Sequence, residues 1–299
     1  MDILEYYESR KKLVDEAVLK TLKEEELEDF ETPKSGKRLR GVLVLLVCEA
    51  LGGKAEEALP GAVAIELAHS ASLDVDDIID FDILRRGKTA EWVRKGITKT
   101  VLGSHALVAT AMDIVRRHYG VDMLDMIVDA YKRMVKGEML DIKFSTMYEA
   151  IISAKTATLY GASASLGAVA SKKRELKDTA YHYGLYTGMA FQIADDIVDT
   201  IKIIEEADLK KLLEPSVTSF IAFLGLETIL RNPLNILLRG VKGIEEQAKE
   251  IAMKKLDEYI NKAQVYANQL PAVNEEYRKL LNDYPTLAVS LMLKEGGLK

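Results

Sequence analysis

The sequence predicts an all-α protein, and three observations carry that prediction. Only six of the 299 residues are proline, and residues 61–214 contain none. Proline breaks the helical hydrogen-bond ladder, so so long a proline-free stretch reads as long helices. Apolar residues make up 48% of the chain and charged residues 29%, and the apolar ones recur at three- and four-residue spacing. The period-2 alternation and close-set turn signals of a strand-rich sandwich are missing.

The elements follow in order. Residues 1–30 read as a charged helix in which Ile3, Leu4, Tyr7, Leu13, Ala17 and Leu22 fall at helical spacing. Glu31–Gly36 (ETPKSG) is a break. Arg38–Leu51, apolar on most sides, is a buried helix closed by Gly52-Gly53. A third helix is expected over Ala62–Asp80, followed by a polar, basic loop over Phe81–Thr89. Further helices are expected at about 98–118, 122–141, 146–169, 175–201, 217–230, 244–268 and 274–294. No linker-like composition and no internal repeat divides the chain, so one domain is expected over residues 1–299.

Composition excludes several function classes. The single cysteine, Cys48, cannot close an internal disulfide, which favours a reducing compartment and a cytoplasmic location. The start MDILEYYESRKK has no apolar signal core. The longest apolar run, Val42–Cys48, is far short of the ~20 residues of a membrane span. A net charge of −6 disfavours a bulk nucleic-acid binder but leaves room for a small anion held by local charge.

Two carboxylate clusters stand out. Asp74-Val-Asp76-Asp77-Ile-Ile-Asp80 places Asp76 and Asp80 one helical turn apart with Asp77 adjacent. Phe191-Gln192-Ile193-Ala194-Asp195-Asp196-Ile197-Val198-Asp199 repeats the D-D-x-x-D spacing. Acidic runs are usually solvated faces or helix ends, but both copies lie among apolar residues, and the repeat itself needs a reason. Like charges at this spacing repel, so folding alone gains nothing from them. Carboxylate-only ligands without Cys or His suit Mg²⁺, which keeps waters and takes substrate phosphates as partners. Two such clusters facing each other across a bundle cavity would hold a diphosphate through bridging metals.

Basic residues flank these clusters. Gly36-Lys37-Arg38-Leu39-Arg40 precedes the second helix, and Arg85-Arg86-Gly87-Lys88 follows the first acidic cluster. Lys155-Thr156 opens an apolar stretch, and His69 lies two helical turns before Asp76. Lone basic loops and lone histidines are most often structural. Next to a metal candidate, Arg matches phosphate oxygens and Lys supplies a point charge.

With these residues the sequence resembles the trans-isoprenyl (polyprenyl) diphosphate synthase family, and within it the archaeal hexaprenyl and geranylgeranyl diphosphate synthases. HSASLDVDDIIDFDILRRGK resembles the first aspartate-rich region with its arginine pair, FQIADDIVD the second, and GKRLR and AKTATL the remaining basic motifs. The resemblance covers most of the chain in the right order. It implies a single-domain isoprenoid synthase fold, an antiparallel helix bundle around a central active-site cavity, and a homodimer. It also implies a prenyltransferase that condenses isopentenyl diphosphate with an allylic diphosphate, 1′–4 and head-to-tail, with three Mg²⁺ ions per site. Product release would involve transient membrane contact.

Residue by residue, the resemblance makes Asp76, Asp80 and Asp195 ligands of Mg²⁺, with Asp77, Asp196 and Asp199 as direct ligands or partners of ligands. Arg85, Lys155, Thr156 and Gln192 would support the allylic diphosphate. Lys37, Arg40, His69 and Arg86 would hold isopentenyl diphosphate. No protein base is required, because in the family the departing diphosphate takes the final proton.

Three departures from the family pattern matter. Gly41 replaces the usual proline after GKRxR, and Gly137-Glu138 the usual Gly-Gln, with Asp141 retained. After the second aspartate motif, TIKIIEEADLKKLLEPSVTSF is shortened and carries neither of the usual Gly-Lys signals. Lys202, Lys210 or Lys211 would take the place of the missing lysine, with Lys210 preferred.

Product length should follow from residues below the first motif. Ser72, Ala71 and Ala68, about 6 and 12 Å deeper than Asp76, are all small. Short-chain relatives carry bulky aromatics at such positions. The expectation is a product near hexaprenyl, with geranylgeranyl as the alternative and Met112, Ile114 or Tyr131 as possible floors. Two other readings compete. A class I terpene cyclase would normally replace the second aspartate motif and lack GKRxR and RRG. A non-catalytic partner subunit of a heteromeric synthase would commonly lose the aspartates that this chain keeps.

Overall fold

Helix starts here are set by caps and helix stops by glycine. In the computed structural model, residues 1–141, 147–205, 215–224 and 233–297 are described. Helix α1 (Ile3–Glu24) opens on a capping box in which Asp2 accepts the Glu5 N–H and Glu5 accepts the Asp2 N–H. Next come α2 (Leu39–Ala50), α3 (Ala55–Ile79), the short α4 (Glu91–Lys95), α5 (Ile97–Tyr119) and α6 (Val121–Asp141). Gly96 and Gly120, both at positive φ, separate α4, α5 and α6. After them come α7 (Tyr148–Ile152), α8 (Thr158–Ala170), α9 (Lys177–Glu205), α10 (Pro215–Phe223), α11 (Pro233–Gln269) and α12 (Glu275–Glu295).

The chain forms two compact units. The first comprises Met1–Asp129, Ala162–Tyr181 and Leu270–Leu281, the second Ala130–Gly161, His182–Gln269 and Asn282–Lys299. In the first, α3 packs along α2 and α5. Every residue of α2 from Leu39 to Cys48 is buried, as its apolar sequence requires. In the second, Ile193, Ala194, Ile197 and Ile201 of α9 pack with Phe220 and Ile221 of α10 and Leu256 and Tyr259 of α11. No described helix is long and apolar enough to cross a membrane.

The all-α reading holds, and several details differ from the sequence expectation, among them that α11 begins at Pro233 rather than near residue 244. The first helix ends at Glu24 rather than near residue 30. Helix α3 begins at Ala55 instead of Ala62 and runs through Pro60. Glu57 caps its start by accepting the Lys54 N–H at 3.0 Å, a signal the proline masks. The expected loop at 81–89 contains a two-residue hairpin, Leu84–Arg85 against Lys88–Thr89. Arg86 (φ 53°) and Gly87 (φ 74°) both turn left-handed, as a tight hairpin turn requires. Finally, the helical stretch expected at 146–169 is interrupted by a π turn at Ser153–Ala157, which holds Lys155 and Thr156. Single π turns inside α-helices recur at functional sites.

Candidate active site

The first acidic motif closes α3. Asp74, Asp76 and Asp77 lie in its last two turns. Asp80 is the C-cap, with its N–H on the Asp76 carbonyl at 2.9 Å. No basic residue shares the last turn. A helix C-terminus already carries partial negative charge, so this concentration of carboxylates is self-repulsive and favours a cation. Within the motif the carboxylates divide. Asp77 is buried and accepts two hydrogen bonds from Arg85, that of Nε at 2.7 Å. Its Oδ2 has no hydrogen-bond partner among the described residues. Asp76 is half-buried and Asp80 exposed. Asp74 is fully buried and accepts from the Thr32 hydroxyl. Burial pushes its carboxyl up to about 7 against that hydrogen bond, with Glu91 and Asp77 adding to the rise.

Four sequence-predicted cationic or imidazole groups, Arg85, Arg86, Arg40 and His69, lie together beside this motif. The hairpin aims Arg85 at Asp77 and carries Arg86 to the Ser35 carbonyl, 2.6 Å away. The Arg86 guanidinium lies over Gly36, where a Cβ would come within 2.8 Å of Nη1. Gly36 is therefore needed both for this approach and for its φ of 142°. Arg40 Nη1 is 3.0 Å from His69 Nε2. A guanidinium only donates, so Nε2 accepts and the imidazole is neutral with its proton on Nδ1. Burial, then Arg40, Arg86, Arg38 and Arg85, hold the His69 pKa well below the usual value. Lys37 is half-buried, and its carbonyl accepts the Tyr7 hydroxyl at 2.6 Å. Arg38 serves the fold instead: it is buried, pairs with Asp15 at 2.7 Å and donates to the Pro33 carbonyl at 2.6 Å.

The second acidic motif lies on α9 and divides in the same way. Asp196 is turned into protein: the Tyr148 hydroxyl donates to Oδ2, and Gln192 Nε2 donates to Oδ1 at 3.1 Å. The same Gln192 nitrogen reaches Asp195 Oδ2 at 3.1 Å, while Gln192 Oε1 accepts the Thr156 hydroxyl at 2.6 Å. Burial first, then Asp195, push the Asp196 carboxyl up to about 8. Asp195 and Asp196 are both half-buried and Asp199 is exposed. Lys155 Nζ lies between Glu138 at 2.8 Å and Asp141 at 2.9 Å. Burial would lower its pKa, but Asp141 and Glu138 more than reverse this and raise it. Gly137 lets the two helical stretches close here, since a Cβ would meet the Lys155 backbone nitrogen at 2.6 Å.

Ala68 and Ala71 are buried and Ser72 half-buried, its hydroxyl bonded to the His69 carbonyl at 2.8 Å. On α3, Ser72 lies about 40° and Ala68 about 80° round the helix from Asp76, while His69 and, ~16 Å along the helix, Ile65 lie within about 20° of its azimuth. Lys202 is exposed; Lys210 and Lys211 lie outside the described residues. Among the described residues, no group of three or more His, Cys, Asp or Glu side chains is drawn together as a self-contained metal cage.

Sequence reasoning missed Tyr148 and Thr32, each of which bonds an aspartate of these motifs, and the Glu138–Lys155–Asp141 contact. The signal for Tyr148 is its place two helical turns before Lys155 on one continuous helical stretch. For Thr32 there is none, since it sits in a break and reaches Asp74 only through the tertiary fold.

A family model described as polyprenyl synthetase matches residues 26–225. The chain is 36% identical over 214 residues to the hexaprenyl pyrophosphate synthase of Saccharolobus solfataricus, covering 70% of this chain and 76% of that one. It is 34% identical over 216 residues to the geranylgeranyl pyrophosphate synthase of Geoglobus acetivorans, covering 66% and 68%. The solved geranylgeranyl pyrophosphate synthetase from that archaeon matches with a TM-score of 0.78 at 25% identity, covering 95% and 99% of the two chains. The chain belongs to the polyprenyl synthetase family. It is a prenyltransferase, a trans-prenyl diphosphate synthase by class.

Proposed function

We propose that this chain condenses isopentenyl diphosphate with an allylic diphosphate, in an Mg²⁺-dependent reaction, to an all-trans product near hexaprenyl diphosphate. We further propose that it acts in the cytoplasm as a single-domain homodimer. The observation that carries the site assignment is the shared division of the two motifs. In each, the middle aspartate is bonded inward, Asp77 to Arg85 and Asp196 to Tyr148 and Gln192. Of the flanking aspartates, Asp80 and Asp199 are exposed and Asp76 and Asp195 half-buried, Asp195 accepting from Gln192. Asp76, Asp80, Asp195 and Asp199 are therefore assigned to the cation, and Asp77 and Asp196 to holding their neighbours in place. Bound Mg²⁺ would supply Lewis-acid stabilisation of the charge that grows on the departing diphosphate.

This chain's own groups then have defined tasks. Lys155, Thr156 and Gln192, with Arg85 at the first motif, orient the allylic diphosphate and stabilise its negative charge as the allylic C–O bond breaks. Lys37, Arg40, His69 and Arg86 hold isopentenyl diphosphate. Neutral His69 offers a hydrogen bond without adding charge. The new C–C bond forms between the allylic carbon and C4 of isopentenyl diphosphate. The departing diphosphate removes the proton, so no side chain is assigned as base.

Ser72 and Ala68, one and two turns below Asp76, are small and add no bulky floor of their own, which supports a product longer than farnesyl. Exposed Ile97 and Leu102 of α5 and Val135 and Met139 of α6 supply apolar surface for a second copy of the chain. The deciding experiment is product analysis after feeding isopentenyl diphosphate with farnesyl or geranylgeranyl diphosphate and Mg²⁺. A hexaprenyl product is expected, shortened by Ala68→Phe. A geranylgeranyl end product would replace the length assigned here, and a farnesyl end product would refute the open path below Asp76. Absence of turnover by the homomer, restored by a second protein, would instead support a partner-subunit role.

A further inference from the structure

The Tyr148 side chain is 95% buried, and its ring lies 4.6 Å from the Phe223 ring and 5.3 Å from the Phe220 ring, centroid to centroid. Its hydroxyl ends on Asp196 Oδ2, and from there an unbroken hydrogen-bonded chain runs through Gln192 to Asp195 on one side and Thr156 on the other. The polarity of this chain is fixed. Carboxylates only accept, so the Gln192 amide must turn Nε2 toward Asp195 and Asp196, leaving Oε1 for the Thr156 hydroxyl. A Tyr donor on Asp196 Oδ2 leaves Oδ1 as the oxygen that meets Gln192.

We propose that Tyr148 is a positioning residue for the second acidic motif: its hydroxyl turns Asp196 inward and, through Gln192, sets the Asp195 carboxylate and the Thr156 hydroxyl in place. This rests on the assignment of Asp195 and Asp199 to the cation. Groups that orient a ligand from behind typically change metal affinity or activity by about 10–100-fold when removed. Because Tyr148 reaches Asp195 and Thr156 but none of the residues assigned to isopentenyl diphosphate, its loss should act selectively.

The test is Tyr148→Phe, which keeps the ring and removes the donor. Two readouts are needed: steady-state kinetics, and an Mg²⁺ titration followed by thermal shift without substrate. The expected result is a kcat lowered by about 10-fold or more, with half-saturating Mg²⁺ raised in both readouts. The KM for isopentenyl diphosphate should stay within about twofold of wild type, a change too small to signal a lost contact. Phe223→Leu, which loosens the bed of the ring, should shift Mg²⁺ half-saturation in the same direction by a smaller factor. It decides the case if Tyr148→Phe does not fold. Tyr6→Phe, which removes a buried hydroxyl that donates to Glu49 in the other compact unit, serves as the control for destabilisation and should leave the Mg²⁺ titration unmoved.

Wild-type Mg²⁺ half-saturation in Tyr148→Phe, or in Phe223→Leu where the first variant is lost, overturns the proposal. An equal shift in Tyr6→Phe overturns it too, by showing that lowered stability alone moves the titration. Wild-type protein without turnover on any allylic primer would instead defeat the functional reading, and the thermal-shift titration reports on Tyr148 independently of turnover.

Discussion

The Tyr119 hydroxyl is built into the backbone of α3 at Gly61. It accepts the Gly61 N–H at 2.9 Å and donates to the Glu57 carbonyl at 2.9 Å. In an unbroken helix those two groups would bond to each other. Pro60 disturbs the turn, and the phenol of α5 replaces one backbone bond with two side-chain bonds. Helix α3 can therefore continue from Ala55 to its acidic end at Ile79.

Tyr119→Phe leaves a buried N–H and a carbonyl without partners. Each such loss costs about 1–3 kcal/mol, so a loss of at least about 2 kcal/mol is expected in urea unfolding. A wild-type midpoint and slope would show that the splice contributes nothing.

The two kinds of aspartate should separate by phenotype. Asp76→Ala or Asp195→Ala should remove turnover while leaving the helical circular dichroism and unfolding midpoint near wild type. Asp77→Ala should be unstable as well as inactive. It removes the closer of Arg85's two carboxylate partners, leaving Asp82 at 3.6 Å, and breaking a part-buried pair costs up to about 3 kcal/mol. Retained turnover in Asp76→Ala or Asp195→Ala would defeat the cation assignment.

Glu138 and Asp141 both pair with Lys155. Glu138→Gln removes one competitor for the ammonium, so the allylic diphosphate should bind more tightly. The expected outcome is a KM for the allylic substrate lowered about threefold, equivalent to about 0.65 kcal/mol, with that for isopentenyl diphosphate unchanged. Equal KM values in both proteins would show that Lys155 reaches the diphosphate regardless of its carboxylates.

His69 links stability to pH. Burial and the four arginines depress its pKa in the folded protein, whereas in the unfolded chain it titrates near 6.5. The unfolded state then binds the extra proton as pH falls, so the His69 contribution is present above about pH 6.5 and is lost below it. The difference in unfolding midpoint between wild type and His69→Gln should change between pH 7.5 and 5.5, with wild type losing more on acidification. A pH-independent difference would contradict a neutral His69.

Helical periodicity made the long elements legible, because α2, α5, α6 and α9 each bury an apolar face whose spacing is local. The acidic and basic motifs were legible because their residue types have no other economical use beside apolar neighbours. What escaped was non-local. The start of α3 lay behind Pro60, whose local effect is compensated by Tyr119, far away in sequence. The hairpin at Arg86-Gly87 was too short to show alternation. Tyr148 looked like any core aromatic until its hydroxyl met Asp196.

The π turn at Ser153–Ala157 has a consequence for helical phase. In a regular α-helix, Tyr148 and Thr156 are eight residues apart and would be rotated by about 80° from one another. In the wider turn, Ser153 accepts from the Thr158 N–H, five residues on, so the chain advances by a residue without a full step of rotation. That lag brings the tyrosine and the threonine toward one azimuth. On α9, Gln192 and Asp196 are one turn apart and already share an azimuth. The surplus residue thus acts as a vernier between two helices of different pitch, letting two contacts engage two partners at once where an ideal helix would engage one.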